Sequence, residues 1–166
     1  MKAPDVDTVV VKMPAEAHDY VGGTYRPGDS PQVSAQFNTA YNVAAALIRG
    51  RVGLAEFDLD TLLNPEFQQL ADRVETMRSD EQYCFGPQEI TIRLRNGSTL
   101  SRNVSVMKGH PDNPMQDHHI EDKFMALAEP ALGKDRSRTA LESWWRVKDA
   151  QHVGALMNLV DIQPAL

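Results

Sequence analysis

Residues 35–57 read AQFNTAYNVAAALIRGRVGLAEF, an apolar segment that opens on Gln36, Asn38, Thr39 and Tyr41. Its centre, VAAALI over 43–48, has no polar side chain on any face. Three successive alanines favour helix over strand, and a helix that is apolar all round is normally enclosed on every side. Ser34 or Asn38 is placed to cap its start, and Gly50 and Gly53 to end it. Asn38 and Tyr41 then fall in or beside the first turn, at the positive end of the helix dipole. A helix that only fills a core has little need of so many polar groups. Two readings follow: capping groups around a core tyrosine bonded through its hydroxyl, or a polar wall turned toward a ligand. Spacing alone favours the first.

Working outward, residues 5–13 read DVDTVVVKM, a β-branched run that predicts a strand. Residues 14–33 carry Pro14, Gly22, Gly23, Pro27, Gly28 and Pro31 and no periodicity, so a long loop is expected. After the central helix, residues 54–63 suit a short helix and turn. Asn64-Pro65 has the form of an N-cap with proline at the first helical position. Phe67, Leu70, Ala71 and Val74 follow at i, i+3, i+4 and i+7, the spacing of an amphipathic helix. A strand at 74–78 is a weaker signal, and SDEQYCFGPQ reads as a loop.

The clearest local pattern is EITIRLRNGSTLSRNVSV, residues 89–106. Ile90, Ile92 and Leu94 alternate with polar residues, and Asn96-Gly97 offers the two positive-φ positions of a type I′ turn. Leu100, Val104 and Val106 lie on the return strand, with Arg102 marking a candidate bulge. KGHPDNPMQ then breaks the chain. Beyond it three helices are expected: one on Ile120, Phe124, Leu127 and Ala128, closed by Pro130 and Gly133; one around Ala140, Leu141, Trp144, Trp145 and Val147; and one on Val153, Leu156, Met157, Leu159 and Val160.

Composition narrows the function. A net charge of −6 with scattered basic residues argues against nucleic acid. No apolar run approaches the roughly 18–20 residues that span a bilayer, which argues against a membrane protein. The segment MKAPDVDTVV lacks a signal-peptide apolar region. Cys84 is the only cysteine, so no internal disulfide or cysteine zinc site is available, and a reducing, cytoplasmic setting is expected. In HPDNPMQDHHIED, His110, His118 and His119 lie among carboxylates, a composition that suits zinc or iron. Adjacent His118 and His119 diverge by about 100° on a helix, however, and Asp117 is better explained as an N-cap, so no metal is expected. No nucleophile elbow and no phosphate-binding glycine loop is present. Of Trp144-Trp145, one ring is expected in a core or interface and the other half exposed.

The opening segment resembles the corresponding helix of the MmgE/PrpD family, which includes 2-methylcitrate dehydratases, cis-aconitate decarboxylases and iminodisuccinate epimerases. The similarity continues in order through NPEFQQLADRVE, EITIRLRNGSTL, KGHPDNPM and IEDKFMALAEPALG, almost the whole chain. The resemblance implies a large all-helical domain with a smaller α+β lid. Residues 1–108 are expected to be most of the lid, lacking its start, and 109–166 the final helices of the helical domain. The expected fold is therefore α+β, a small antiparallel sheet including the Asn-Gly hairpin packed on helices, followed by an all-helical segment.

The family's acid–base site lies in the cleft between its domains. Its histidines and lysines come from the earlier helical part and from a segment of the form K-x-Y-P-x-C-x-x-x-H just before the first lid strand. This sequence begins at that strand, and neither His18 nor His110 matches a family catalytic position. Tyr41 matches the lid tyrosine and is the expected catalytic residue, with Gln36 and Asn38 beside it as substrate-binding residues. The implied chemistry is proton abstraction beside a carboxylate, then loss of water, loss of CO2 or re-protonation, with no metal or organic cofactor. A phenol with a reference pKa near 10 is a poor base for it. The chain is thus expected to be one part of such an enzyme, a fragment or split-enzyme subunit acting on a small carboxylate. Its partner would be a polypeptide carrying the helical domain, or a second copy in a homodimer. The competing expectation is a non-catalytic module that keeps the lid fold to bind a carboxylate or a protein.

Overall fold

In the computed structural model, which describes residues 3–162, the β-branched run becomes β1 (Val6–Met13). It is flanked on one side by β2 (Val74–Arg78) and on the other by β3 (Gln88–Leu94), which continues to β4 (Thr99–Val104), giving the order β2-β1-β3-β4. Val9, Val11 and Met13 are buried at the two-residue period of a strand, yet Val6 is buried too. A register shift between Val6 and Thr8 explains this. One irregular step reverses the alternation and brings Val6 to the core face.

The α+β class is as the sequence indicates, but the sheet is mixed rather than antiparallel, because β2 runs parallel to β1. The intervening residues 14–73 carry α1 (Ala15–Val21), α2 (Pro31–Gln36), α3 (Thr39–Arg49), α4 (Leu59–Leu62) and α5 (Pro65–Ala71). A connection of that length is what a parallel return requires. The expected loop at 14–33 therefore contains a helix: AEAHDYV begins with good helix formers but is too short to show a period. Val74, read as the end of the amphipathic helix, is instead the first residue of β2. The helix stops at Ala71 after burying Phe67 and Leu70.

The hairpin is present, with a different turn. Among the described residues no non-glycine has positive φ, so Asn96 cannot occupy a type I′ position; Gly97 alone does, at φ 84°. The Gly97 N–H donates to Leu94 O (2.9 Å) and the Leu94 N–H to Ser98 O (2.8 Å). This is the three-residue loop with glycine at the left-handed position. Pairing runs evenly through Ile90↔Arg102, so there is no bulge at Arg102.

Around α3 the chain is closely packed. Ala40, Ala44 and Ala45 are buried and small enough to bring the helix against α5 and β2. Tyr41, Phe67 and Tyr25 fill the space between, with Tyr41 ring centroids 4.8 Å from Tyr25, 6.0 Å from Phe57 and 6.1 Å from Phe67. The helix is not enclosed on all sides as its sequence suggested: Ala46 is exposed and Val43, Leu47 and Ile48 are half-buried.

This first compact unit extends to Met107, and a second begins at Lys108. The second contains α6 (Asp117–Leu132), α7 (Lys134–Trp145) and α8 (Val153–Val160). Gln116, not Asp117, takes the N-cap position of α6, Pro130 is tolerated in its last turn, and Gly133 at φ 77° ends it. The Trp145 indole N–H donates to Glu121 Oε1 (3.0 Å), tying α7 to α6, while Trp144 is half-buried. Arg136 donates to the carbonyls of Asn158 (3.0 Å) and Asp161 (2.6 Å), closing the end of α8. Among its described residues Leu156 is the one large apolar side chain that is buried. No helix of the described residues is long and apolar enough to cross a membrane.

Candidate functional site

The polar start of α3 is fixed by its own side chains. Asn38 Oδ1 accepts the Tyr41 backbone N–H (3.0 Å), a side-chain N-cap, and Asn38 Nδ2 donates to Gly23 O (3.3 Å) on the preceding loop. Asn42 Nδ2 donates to both Ala35 O and Asn38 O at 2.8 Å, holding the turn between α2 and α3. Gly50 at φ 75° closes the helix at its other end. Asparagine suits both tasks because its short amide carries donor and acceptor together. Replacing Asn38 by alanine removes the cap and the loop tie together. Thermal denaturation of that variant is expected to show a loss of about 1–2 kcal/mol.

Beside this turn lies a groove of about 350 Å³ walled by Gln36, Asn38, Thr39 and Asn42, with Val21, Val43 and Ala46 supplying its apolar side. The structure thus brings Gln36 and Asn38 to one concavity and adds Thr39 and Asn42. Sequence reasoning left Thr39 unplaced and passed over Asn42. The signal for Asn42 was its distance of four residues from Asn38, one helical turn on the same face. Gln36 is exposed, whereas Asn38 is buried with its amide already committed to backbone groups. None of the seven lining side chains is charged.

Tyr41, expected on the cleft wall, lies in the core behind it, with 0% of its surface accessible. Its hydroxyl donates to the carbonyl of Glu56. Burial, with smaller contributions from Tyr25 and Glu56, pushes its pKa up to about 12. The phenol is therefore protonated at physiological pH and spent on a backbone acceptor. The reason is geometric. In the first turn of α3, Thr39 and Asn42 are only partly buried and border the groove, whereas position 41 falls with Ala40, Ala44 and Ala45 on the packed side. Glu56, also buried, accepts the Gly53 N–H at 2.7 Å through Oε2 and lies 4.0 Å from Arg51 Nε.

The histidine-rich stretch forms local contacts. His118 and His119 ring centroids are 3.9 Å apart, and His119 Nδ1 accepts the Gln116 N–H at 3.2 Å. His110 Nδ1 accepts the Asp112 N–H at 3.2 Å. Among the described residues no three His, Cys, Asp or Glu side chains converge as metal ligands would. His18, on α1, places Nε2 3.3 Å from both the carbonyl and the hydroxyl of Thr76 on β2.

A family model for the MmgE/PrpD C-terminal domain matches residues 1–147. The cis-aconitate decarboxylase-like protein oryM of Aspergillus oryzae is 27% identical over 158 residues, covering 92% of this chain and 32% of that protein. Cis-aconitate decarboxylase of Mus musculus is 22% identical, covering 95% of this chain and 32% of its own length. The Homo sapiens protein of the same name is 22% identical, covering 81% and 29%. The chain spans about a third of the length of these relatives.

Proposed function

This chain belongs to the MmgE/PrpD family, matching its C-terminal domain, and from that premise we propose that it supplies one wall of the site of a cofactor-independent lyase or isomerase acting on a small di- or tricarboxylate. The observation that carries the reading is the character of the groove at the start of α3: hydrogen-bonding amides and a hydroxyl, and no charged side chain. Neutral donors of this kind orient carboxylate oxygens, and they cannot abstract a proton from carbon. The base, and a cation to offset the substrate's charge, belong to the other two thirds of the enzyme's length.

Gln36 is the side chain offered to substrate most directly, since its amide is exposed. Asn38 and Asn42 contribute by holding the turn that presents it. Tyr41 takes a positioning role in this reading, supporting the cap from behind, rather than a place on the reacting atoms. Residues 1–108 act as the lid, and α6 to α8 belong with the larger helical domain. Ile120, Leu127, Val153 and Met157 on those helices are exposed, and an apolar surface of that kind suits a helical neighbour or a second copy of the chain. A reducing, cytoplasmic setting agrees with the single cysteine, Cys84.

The test is to assemble this chain with a family helical domain, fused or co-expressed, and to measure CO2 release from cis-aconitate and dehydration of 2-methylcitrate. Turnover of either is expected, with kcat/KM lowered about tenfold by Gln36→Ala at unchanged thermal stability, the cost of about one substrate hydrogen bond. Absence of turnover together with binding of the tricarboxylate favours the second reading, a non-catalytic carboxylate-binding module, which the uncharged groove also supports. Neither turnover nor binding would sink both.

A further inference from the structure

A different concavity, sharing no residue with the groove, is lined by Arg73 and Arg95 across the start of β1, with Gln69, Glu66 and Leu70 from α5 beside them. Its volume is about 210 Å³, a scale that suits a small polyatomic ion. Each guanidinium is anchored by one bond to backbone: Arg73 Nη1 donates to Val6 O (3.1 Å) and Arg95 Nε to Pro4 O (3.0 Å). The Arg95 backbone N–H also donates to Asp5 O at 2.9 Å, so the segment that carries it is tied to the residues leading into β1.

Among the described residues Arg26, Arg51, Arg78 and Arg93 pair with carboxylates, those of Asp72, Glu56, Asp19 and Asp7. Among the described residues neither Arg73 nor Arg95 has a carboxylate within ion-pair distance, although Glu66 lines the rim. Two backbone-anchored guanidiniums, one half-buried and one exposed, line this small cavity, and a guanidinium that spends one of its five N–H groups keeps enough donors to recognise a planar or tetrahedral oxyanion in bidentate fashion.

We propose that Arg73 and Arg95 form an oxyanion-binding site, distinct from the groove, that takes a phosphate or a carboxylate group of a small ligand. The anchoring carbonyls of Pro4 and Val6 lie in the first turn of chain before and into β1, so an occupied site also holds the sheet's central strand to the β3–β4 turn. Gln69 supplies a neutral donor, and Glu66 limits affinity by repulsion. The site does not depend on the groove's chemistry, and its test needs no catalysis.

Inorganic phosphate and citrate are titrated separately into the full 166-residue chain by calorimetry, with Tm followed in parallel. Saturable binding of at least one is expected, with a rise in Tm. Arg95→Gln is expected to weaken it about tenfold or more, Glu66→Gln to tighten it, and Arg102→Gln, which removes an exposed arginine that lines neither cavity, to leave it unchanged. Arg73→Lys, which keeps the charge and removes the fork, is expected to weaken binding without unfolding the chain and covers the case in which the Arg95 variant is unstable. Phosphate alone binding assigns a tetrahedral ligand, and citrate alone a carboxylate. No binding of either, or binding that survives both arginine variants, overturns the proposal.

Discussion

Truncating Tyr41 to alanine is expected to destabilise the first unit by about 3–5 kcal/mol, the range for removing a buried aromatic ring without collapse of its site. Tyr25, Phe57 and Phe67 surround the ring and would be left facing a void. Urea unfolding followed by near-ultraviolet circular dichroism can read this selectively. All four tyrosines lie before Met107 and both tryptophans after Lys108. The tyrosine band should lose its midpoint while the tryptophan band moves little. Tyr41→Phe keeps the ring and removes the donor to Glu56 O, and is expected to cost about 1–2 kcal/mol. In the assembled enzyme the same variant separates two roles. A positioning tyrosine leaves kcat nearly unchanged once stability is restored, whereas a phenol that moves a proton drops it by about 10²–10⁴.

Much of the fold was legible because it rests on local chemistry. The Asn38 cap, the Gly50 stop, and the Asn64-Pro65 start, where Asn64 Oδ1 accepts the Glu66 N–H at 2.9 Å, are decided within a few residues of themselves. So is β1, whose β-branched run leaves little alternative. What escaped was decided at long range or by small margins. The parallel pairing of VETMR to β1 depends on five helices between them, and nothing in those five residues announces a direction. The helix α1 is seven residues long, below the length at which a period shows. The hairpin's turn was misassigned because Asn-Gly serves a type I′ turn and a three-residue loop equally well. The bond from Leu94 N–H to Ser98 O decides between them.

The site was half legible for a related reason. Four polar residues at the mouth of an apolar helix marked that turn as unusual, and the groove is there. Composition could not say which of them faces outward, because that depends on where the sheet and α5 lie around α3. The family resemblance implied a role for Tyr41, and the helical period sets it beside Ala44 and Ala45 on the inner face. A period read together with the alanines would have placed the phenol in the core and Asn42 on the wall.

That buried phenol has a second consequence, at alkaline pH. Tyr41 titrates near 10 in an unfolded chain and at about 12 in the folded one, and burial raises Tyr25 as well. Between these values the folded state holds a proton that the unfolded state has released, so unfolding is proton-releasing and stability falls as pH rises. Below about pH 10 both states are protonated and the contribution is complete and flat. Across about pH 10–12 the slope for one such tyrosine is about −1.4 kcal/mol per pH unit, so Tyr41 accounts for a loss of about 2–3 kcal/mol. Urea midpoints of the tyrosine band measured through this window should fall in step with appearance of phenolate absorbance. In Tyr41→Phe the steepest part of that fall should disappear and leave the smaller share due to Tyr25. The Tyr25 hydroxyl has no hydrogen-bond partner among the described residues, so Tyr25→Phe should flatten the remainder at little cost in stability near neutral pH. An unchanged alkaline slope in the double variant would place the titrating groups elsewhere and remove the case for a sealed phenol pair behind the groove.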